Sequence, residues 1–550
     1  MVLRTITTGI LLTAGAFAQM SSFPKPNYFR EVLQQTRTKV ELRDPVRLKD
    51  FVVGDKLTLN LKNFLELVMA NNTDIQVTFL SLEIPKNNIT SVYGLWDPTA
   101  TANFSATRST SVAVNPATSQ NATLGSTSEQ LTQPLSLGYS QTLDTGTSYT
   151  VSFGGTKSSY SNSRSSYNPS ITSSMSFAVS QNLIRSRTRY ENRIPLMQAQ
   201  STYRQKEFNL RASMLNWINT AENAYWKVVS ARENVVVQEK ARDASKANLD
   251  FVQQQLDLGA VSPLDIFNPQ GQLASAELSL SQARFALAQA EDAVRHQIGA
   301  DLDSDIRKLA LELTEPVDIP TENLDLDAEK AVQKALDINP SVKAAMQALD
   351  IDDLGIDSAN NGLLPQLTFT ASYAGAGQGG TYISSQSSLL GGSSTLIVPG
   401  GLTDALSQMF ALNNPTYQGS LRLTLPIRNR TASMTLANAL VAKKTDALNV
   451  RNIQQNTRLN VLTAISTLKG AIESLRLAKI QDGLQQKNYE AEKEKYELGT
   501  DINQNVVIAL QALVVADSNV VTAQVNVRTS ILNLLTQTGE LLDERGIVVK

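Results

Sequence analysis

From Leu196 to Asp257 the chain runs sixty-two residues without a proline or a glycine, and the equally long stretch Leu436 to Glu497 contains only Gly470 and Gly483. As an α-helix at 1.5 Å per residue, such a segment is a rod of about 93 Å, several times the length of a usual globular helix. No ordinary globular core can bury one side of it, so it has to pack against other long helices. The apolar residues show how. Ala221, Ala224, Val228, Ala231 and Val235 are spaced alternately three and four apart, and 240 positions later stand Val461, Ala464, Leu468, Ala471 and Leu475. This is a coiled-coil seam, rich in alanine so that the helices approach closely. Past Val235 it meets Gln238, Arg242 and Ser245 before Leu249, Val252 and Leu256 restore it. That polar patch faces either a solvated lumen or ordinary solvent.

The two rods are halves of a duplication. Leu57 to Pro98 matches Leu324 to Pro365 without a gap at a shift of 267, pairing Asn72 with Asn339, Ile75 with Val342 and Leu82 with Leu349. Further on the shift is 240, where Leu258-Gly259 matches Leu498-Gly499 and Gly299 matches Gly539. Chance likeness of alanine-rich helices would not also place these glycines in register.

Each copy opens with a helix that Asn71-Asn72 or Asn339-Pro340 should stop, and a second helical segment runs to just before Pro98 or Pro365. Pro85 is expected to kink that segment or delay its start. Alternating residues follow: Tyr149, Val151 and Phe153, then Met175, Phe177 and Val179, and in the second copy Phe369, Ala371 and Tyr373, then Leu421, Leu423 and Leu425. Small or polar residues stand between them. The pattern predicts strands with one face in lipid and one in a wet lumen, and the Gly/Ser/Asn segments Ser158 to Asn168 and Gly375 to Gly401 read as loops at their outer ends. Leu135 to Thr156 reads as an extra hairpin turning around Asp144-Thr145-Gly146.

The expected organisation is a signal peptide at 1–18, a periplasmic extension at 19–56, a first repeat at 57–299, a linker at 300–323, a second repeat at 324–539 and a tail at 540–550. Within the repeats we place barrel strands at about 99–184 and 366–427, long helices at 186–257 and 432–497, and return helices at 262–299 and 503–539. The signal peptide rests on Arg4, the apolar run Ile6 to Phe17 and the small-residue frame Ala16-Phe17-Ala18. That run is shorter than the roughly 20 residues a bilayer needs, and charged or amide residues interrupt every later Ala/Leu/Val segment. No later stretch is therefore expected to span a membrane as a helix, and any crossing is expected from β-strands.

There is no cysteine, so there is no disulfide or thiolate metal site, and Gln19 cannot carry a lipid anchor. The net charge is −2 with Lys and Arg dispersed, which argues against a nucleic-acid surface. A catalytic constellation is missing. The one histidine, His296, sits near a helix C-terminus where the dipole accounts for it, and pairs such as Asp352-Asp353 belong to solvated faces. No enzyme activity, cofactor or metal is expected.

Signal peptide, then twice a helix, a strand pair, a long helix, a Leu-Gly turn and a return helix: this order resembles the TolC-like outer-membrane efflux protein family of Gram-negative bacteria. The local signatures are Leu364-Pro365-Gln366-Leu367 with Tyr373, Leu425-Pro426-Ile427, and Tyr496-Glu497-Leu498-Gly499-Thr500. The resemblance implies a mixed membrane α/β fold: a trimeric transmembrane β-barrel of twelve strands that continues into a long antiparallel coiled-coil α-helical barrel, with an internal two-fold repeat. It implies an outer-membrane exit duct of a tripartite efflux or type I secretion system, working with a periplasmic adaptor and an inner-membrane pump. The rival is a structural or adhesive coiled-coil envelope protein without a pore.

The same resemblance implies docking tips at Leu258, Gly259 and Ala260 and at Leu498, Gly499 and Thr500. It implies a periplasmic gate in which Asp265 and Tyr496 hydrogen-bond across neighbouring tip turns. Asp501 stands where the family has an arginine, and Asn505 and Ile508 stand where it has aspartates, so the acidic entrance ring is at most partly present. Asp265, following Ser262-Pro263, equally suits a helix start, where a carboxylate meets free N–H groups.

Overall fold

The computed structural model describes residues 46–112, 127–161, 167–259, 261–301, 303–316, 327–387 and 393–548. The expected signal peptide, residues 19–45 of the extension and residues 317–323 of the linker lie outside them.

The described chain begins with β1 (Val52–Val53), β2 (Lys56–Leu59), α1 (Leu61–Asn71) and α2 (Thr73–Tyr93). Strands β3 (Thr99–Phe104), β4 (Thr107–Val112), β5 (Thr127–Thr142), β6 (Thr147–Tyr160) and β7 (Tyr167–Asn182) lead into the rod α3 (Arg189–Asp257) and its return helix α4 (Phe267–Gln297). After β8 (Ala310–Leu313) the second half follows as α5 (Ala328–Ile338), α6 (Pro340–Leu363), β9 (Gln366–Ser387), β10 (Ser393–Val398), α7 (Leu402–Phe410) and β11 (Pro415–Thr424). It ends in the rod α8 (Arg430–Glu497), the return helix α9 (Asn503–Thr538) and a last turn, α10 (Leu541–Glu544). Thr188 and Glu191 start α3 with a capping box, and the Asn429 side chain caps α8.

The duplication is visible in hydrogen bonds. Asn72 Oδ1 accepts from the Asp74 and Ile75 N–H groups and Asn339 Oδ1 from that of Ser341, so each asparagine caps the second helix of its half. Each amide then donates across the fold, Asn72 to the Gln297 carbonyl at 3.4 Å and Asn339 to the Gln537 carbonyl at 3.0 Å. Gln297 and Gln537 are themselves 240 positions apart. The expected seam is buried in both copies: Ala221, Val228 and Val235 in α3, and Val461, Ala464, Leu468 and Leu475 in α8. In the polar patch, Ser245 is buried at 1 % exposure, so at that position the patch faces neither lumen nor bulk solvent.

Strands β3 to β7 and β9 to β11 form one antiparallel sheet in the order β10-β9-β7-β6-β5-β3, with β11 also on β9 and β4 also on β5. Its register brings the alternating residues onto one face. Ala100, Tyr139, Val151, Phe177, Tyr373 and Tyr417 form a single cross-strand row. The opposite face carries Thr101, Gly138, Ser152, Ser176 and Ala374, and the Ser152 and Ser176 hydroxyls bond at 2.6 Å. β5 and β6 are the extra hairpin read around Asp144, with Gly146 at φ 75° in its turn.

Five expectations are corrected. The segments read as loops continue the sheet, since β9 runs on to Ser387 and β6 to Tyr160. The glycines that suggested flexibility are there for close packing: α7 lies across Gly375, Gly377 and Gly379, and a Cβ on Gly377 would overlap the Ala405 carbonyl. Ser173 donates to that same carbonyl at 2.8 Å. Second, Pro85 does not delay α2, which starts at Thr73 and runs through it. Third, the expected linker contributes β8, paired in parallel with β2 from Lys56↔Ala310 to Leu59↔Leu313. Fourth, the tail folds back: Leu541 and Leu542 are buried in the main core, and Arg545 makes a two-pronged ion pair with buried Glu222. Fifth, α9 is long and apolar enough by composition to cross a membrane. Here its apolar residues serve packing, with Ala523 and Val527 lying in the seam against Leu468 and Leu475 of α8.

The main core gathers Leu57, Leu59, Phe64 and Leu67 around Tyr225 and Trp226, midway along α3. Burial pushes the Tyr225 hydroxyl up to about 12. The hydroxyl donates to the Leu59 carbonyl at 3.4 Å and accepts from the Glu315 N–H at 3.3 Å, tying the β2/β8 strands to the rod.

Candidate gate and docking tips

Each helical hairpin reverses on a glycine in the left-handed region, Gly259 and Gly499, both at φ 74°. An added Cβ would meet nothing within 4 Å at either position, so backbone conformation alone selects glycine there. Gly259 N–H donates to the Leu256 carbonyl at 2.9 Å and Gly499 N–H to that of Tyr496 at 3.0 Å. Thr500 doubles the second turn, its N–H and hydroxyl both donating to the Lys495 carbonyl. Leu258 and Leu498 stand 84 % and 72 % exposed at the two ends. Leu264, Phe267 and Ile502 are exposed beside them, an apolar tip surface the glycine turns by themselves did not announce. Ala260 lies outside the described residues.

Tyr496 ends α8 with its ring edge-on to Phe251, centroids 5.7 Å apart, and its hydroxyl donates to Gln255 Oε1 at 2.7 Å. Burial raises its pKa, a hydrogen bond with Asn503 opposes this, and the nearby Asp265 charge raises it further. Within the chain, then, the hydroxyl proton goes to Gln255 of α3, and Asp265 acts on Tyr496 through charge. The Asp265 carboxylate accepts from the Ser262 N–H at 3.0 Å, bracing the turn before α4. Asp501 Oδ1 accepts from the Ile502 N–H and from the Asn505 amide, each at 2.7 Å, and so leads into α9. A hydrogen bond shared with Glu492, together with the Ile502 N–H, holds the Asp501 carboxyl below the usual carboxylate range.

Apart from Tyr496, the residues whose contacts join the two hairpins are ones sequence reasoning missed. Asn248 and Asn503 exchange amide hydrogen bonds at 2.7 and 3.2 Å, Asn268 donates to Gln504, and Gln511 donates to Gln272 at 2.7 Å. The available signal was the spacing of Asn248, Phe251 and Gln255, three then four apart, a second stripe of α3 lying one residue before the seam positions Leu249, Val252 and Leu256. A groove of about 170 Å³ beside Tyr496 is lined by Ala247, Asn248, Phe251 and Tyr489.

Further up the second hairpin Asp517 of α9 meets Asp482 of α8. Burial, then the hydrogen bond and charge of Asp482, push Asp517 up to about 6, with Lys240 of α3 opposing. The folded hairpin therefore holds a proton that the unfolded chain, near 3.8, has already lost. Its contribution to stability is present below the unfolded value and disappears as pH rises through the folded one. Protection factors of α8 and α9 amides, with the intrinsic exchange rate divided out at each pH, are expected to be higher at about pH 5 than at about pH 7.5, with the difference removed in Asp517→Asn. Equal pH dependence in parent and variant would assign it to another group.

Among the described residues no cluster of His, Asp and Glu could hold a metal ion. No curated protein matches the chain at the level of sequence. The family model described as outer membrane efflux protein matches residues 148–300 and 331–540, well over half of the chain. Among solved structures the fold is similar to the CmeC outer membrane channel of Campylobacter jejuni, at 17% identity and a TM-score of 0.60, over 92% of this chain and 90% of that one. It is similar to the outer membrane protein VceC of Vibrio cholerae, at 12% identity and 0.60 over 87% and 96%, and to the open state of the MtrE outer membrane channel of Neisseria gonorrhoeae, at 15% identity and 0.55 over 92% and 96%. The two matched stretches lie one in each copy of the duplicated frame and include both rods and both Leu-Gly turns, and such proteins are passive conduits of the outer membrane and not catalysts. The chain belongs to the outer membrane efflux protein family.

Proposed function

We propose that this protein is the exit duct of a tripartite efflux or type I secretion system. Three copies close a barrel in the outer membrane and a helical tunnel below it, and substrates pass from a periplasmic adaptor and inner-membrane pump to the exterior. The observation that carries this reading is the two-faced sheet joined directly to the duplicated rods. One face is an unbroken apolar row, the other hydroxyls and glycine, as a wall between lipid and water requires. One chain by itself leaves sheet edges whose N–H and C=O groups would be unpaired in lipid. The exposed leucines on both turns suit an adaptor that docks on the tips.

In this reading the closed state is held where the second hairpin is tied to the first through Tyr496–Gln255, Asn248–Asn503 and Asn268–Gln504. Each neutral hydrogen bond is worth about 0.5–1.5 kcal/mol net, and threefold symmetry repeats it at one opening. Tyr496→Phe and Gln255→Ala are each expected to raise single-channel conductance in planar bilayers without reducing trimer yield. Asp265→Ala should raise it less, because that carboxylate braces its own turn. Absence of conductance in all of them, from a trimer of normal yield, favours the poreless envelope protein. Conductance equal to the parent in both Tyr496→Phe and Gln255→Ala moves the gate elsewhere.

A further inference from the structure

We infer that the barrel wall has eighteen strands, six from each of three copies, closed where β3 of one copy pairs with β11 of the next. This rests on the reading of the chain as a trimeric barrel but goes beyond it, since the family resemblance implies only twelve.

Across the sheet there are six strand positions: β3 with β4, then β5, β6, β7 and β9, then β11 with β10. The hairpin β5–β6 supplies the two additional ones. It is part of the wall and not an ornament on it. Its own ladder runs without a break from Gln130↔Tyr160 to Thr142↔Ser148, and each of its outer edges is paired in turn, β5 to β3 and β4 and β6 to β7. Its faces alternate in phase with its neighbours. Leu137, Tyr139, Val151 and Phe153 continue the apolar face, while Ser136, Gly138 and Ser152 continue the other. A hairpin folded into a lumen or out above the membrane has no reason to keep that phase. Its turn is also anchored to the start of the rod, where Asp144 forms ion pairs with Arg189 at 2.7 Å and Arg193 at 2.9 Å.

The two edges identify the occupant as a second copy of this chain. β3 and β11 are exposed along their whole length, with Phe104, Tyr417, Leu421 and Leu423 bare on the apolar side. Among the described residues neither strand has a second ladder within the chain. Successive wall positions alternate in direction, β3 leading away from the helices and β11 returning to α8. With six positions, the first edge of one copy and the last edge of the next run antiparallel, the pairing of every other neighbour in the sheet. Barrel diameter grows roughly in proportion to strand number. The wall is then about half as wide again as one of twelve strands, and the inserted hairpin sets the width of the exit.

The chain has no cysteine, so engineered pairs report without background. Thr101→Cys is combined in turn with Gln418→Cys, Ser420→Cys and Arg422→Cys, all on the hydroxyl and glycine face, and the full-length protein is oxidised in detergent. At least one pair is expected to give covalent dimers and trimers on a non-reducing denaturing gel, and end-on cryomicroscopy of the parent should count eighteen strands. A trimer by light scattering in which no pair cross-links between chains and twelve strands are counted overturns the inference while leaving the trimeric duct in place. Cross-links confined within single chains mean that each copy closes on itself, which also overturns it. A monodisperse monomer sinks the trimeric reading and the inference together.

Discussion

Glu222→Ala is expected to destabilise the protein by about 3 kcal/mol or more, the effect of breaking a buried ion pair by removing one partner. Glu222 is 1 % exposed on α3 and accepts from Arg545 Nη2 at 2.6 Å, from Arg545 Nε at 3.0 Å and from Trp226 Nε1 at 3.3 Å. Its loss leaves a guanidinium and an indole N–H without an acceptor, and it frees the α10 segment whose Leu541 and Leu542 fill the core. The Arg545 side chain keeps 28 % of its exposure, so some rehydration sets the effect toward the low end of the usual range. Glu222→Met combined with Arg545→Met should recover most of the loss, because an apolar pair of similar volume removes both the charge and its need for a partner. Denaturant unfolding followed by Trp226 fluorescence measures both. A midpoint for Glu222→Ala within experimental error of the parent would mean that the C-terminal turn is held by its leucines alone.

Leu468→Asp is expected to abolish assembly. Leu468 has no exposed surface and lies in the α8–α9 seam with Leu475, Ala523 and Val527. A carboxylate there is desolvated without a partner, a penalty of several kcal/mol even after it takes up a proton. Leu468→Met keeps the volume and should stay within about 1.5 kcal/mol of the parent. Trimer yield by size-exclusion chromatography with light scattering separates the two. If Leu468→Asp assembles normally, the seam is not what joins the second rod to its return helix. The contrast with Tyr496→Phe is the useful one, since the seam governs whether the rods exist and the tip contacts govern only where the second hairpin rests.

Near-neighbour order was legible in the residues themselves. The three-four spacing of Val461, Ala464, Leu468 and Leu475 predicts a buried stripe because a helix returns to the same side every 3.6 residues, and those residues are buried. Tyr149, Val151 and Phe153 share a face for the analogous reason in a strand, whose side chains alternate. Asn72 and Asn339 mark the end of each first helix as read, and the structure adds that each also starts the next, because a short side-chain acceptor satisfies N–H groups two or three residues on. Gly259 and Gly499 marked reversals because only glycine takes φ near 74° without strain.

The proposed gate was only partly legible. The family resemblance points to Tyr496 and Asp265, but within the chain the Tyr496 hydroxyl goes to Gln255, and an amide on a long polar helix looks like any other until a second helix arrives beside it. The same limit explains the loop reading of Gly375 to Gly401. A run of glycine is flexible when nothing covers it and rigid when a helix lies on it, and Ala405 is the residue that settles which.

The sequence by itself determined the duplication, the rods, their seams, the strand faces and the tip turns, all features whose physics is confined to a few residues along the chain. Only the tertiary structure decided that the C-terminal segment docks on Glu222, that Ala310–Leu313 joins Lys56–Leu59 in parallel, that α7 covers the glycine strip and that amides join the hairpins. Each of these pairs groups far apart in the chain, such as Glu222 and Arg545. Their free energy depends on which surfaces the rods bring within about 3 Å of one another, a distance no local pattern encodes.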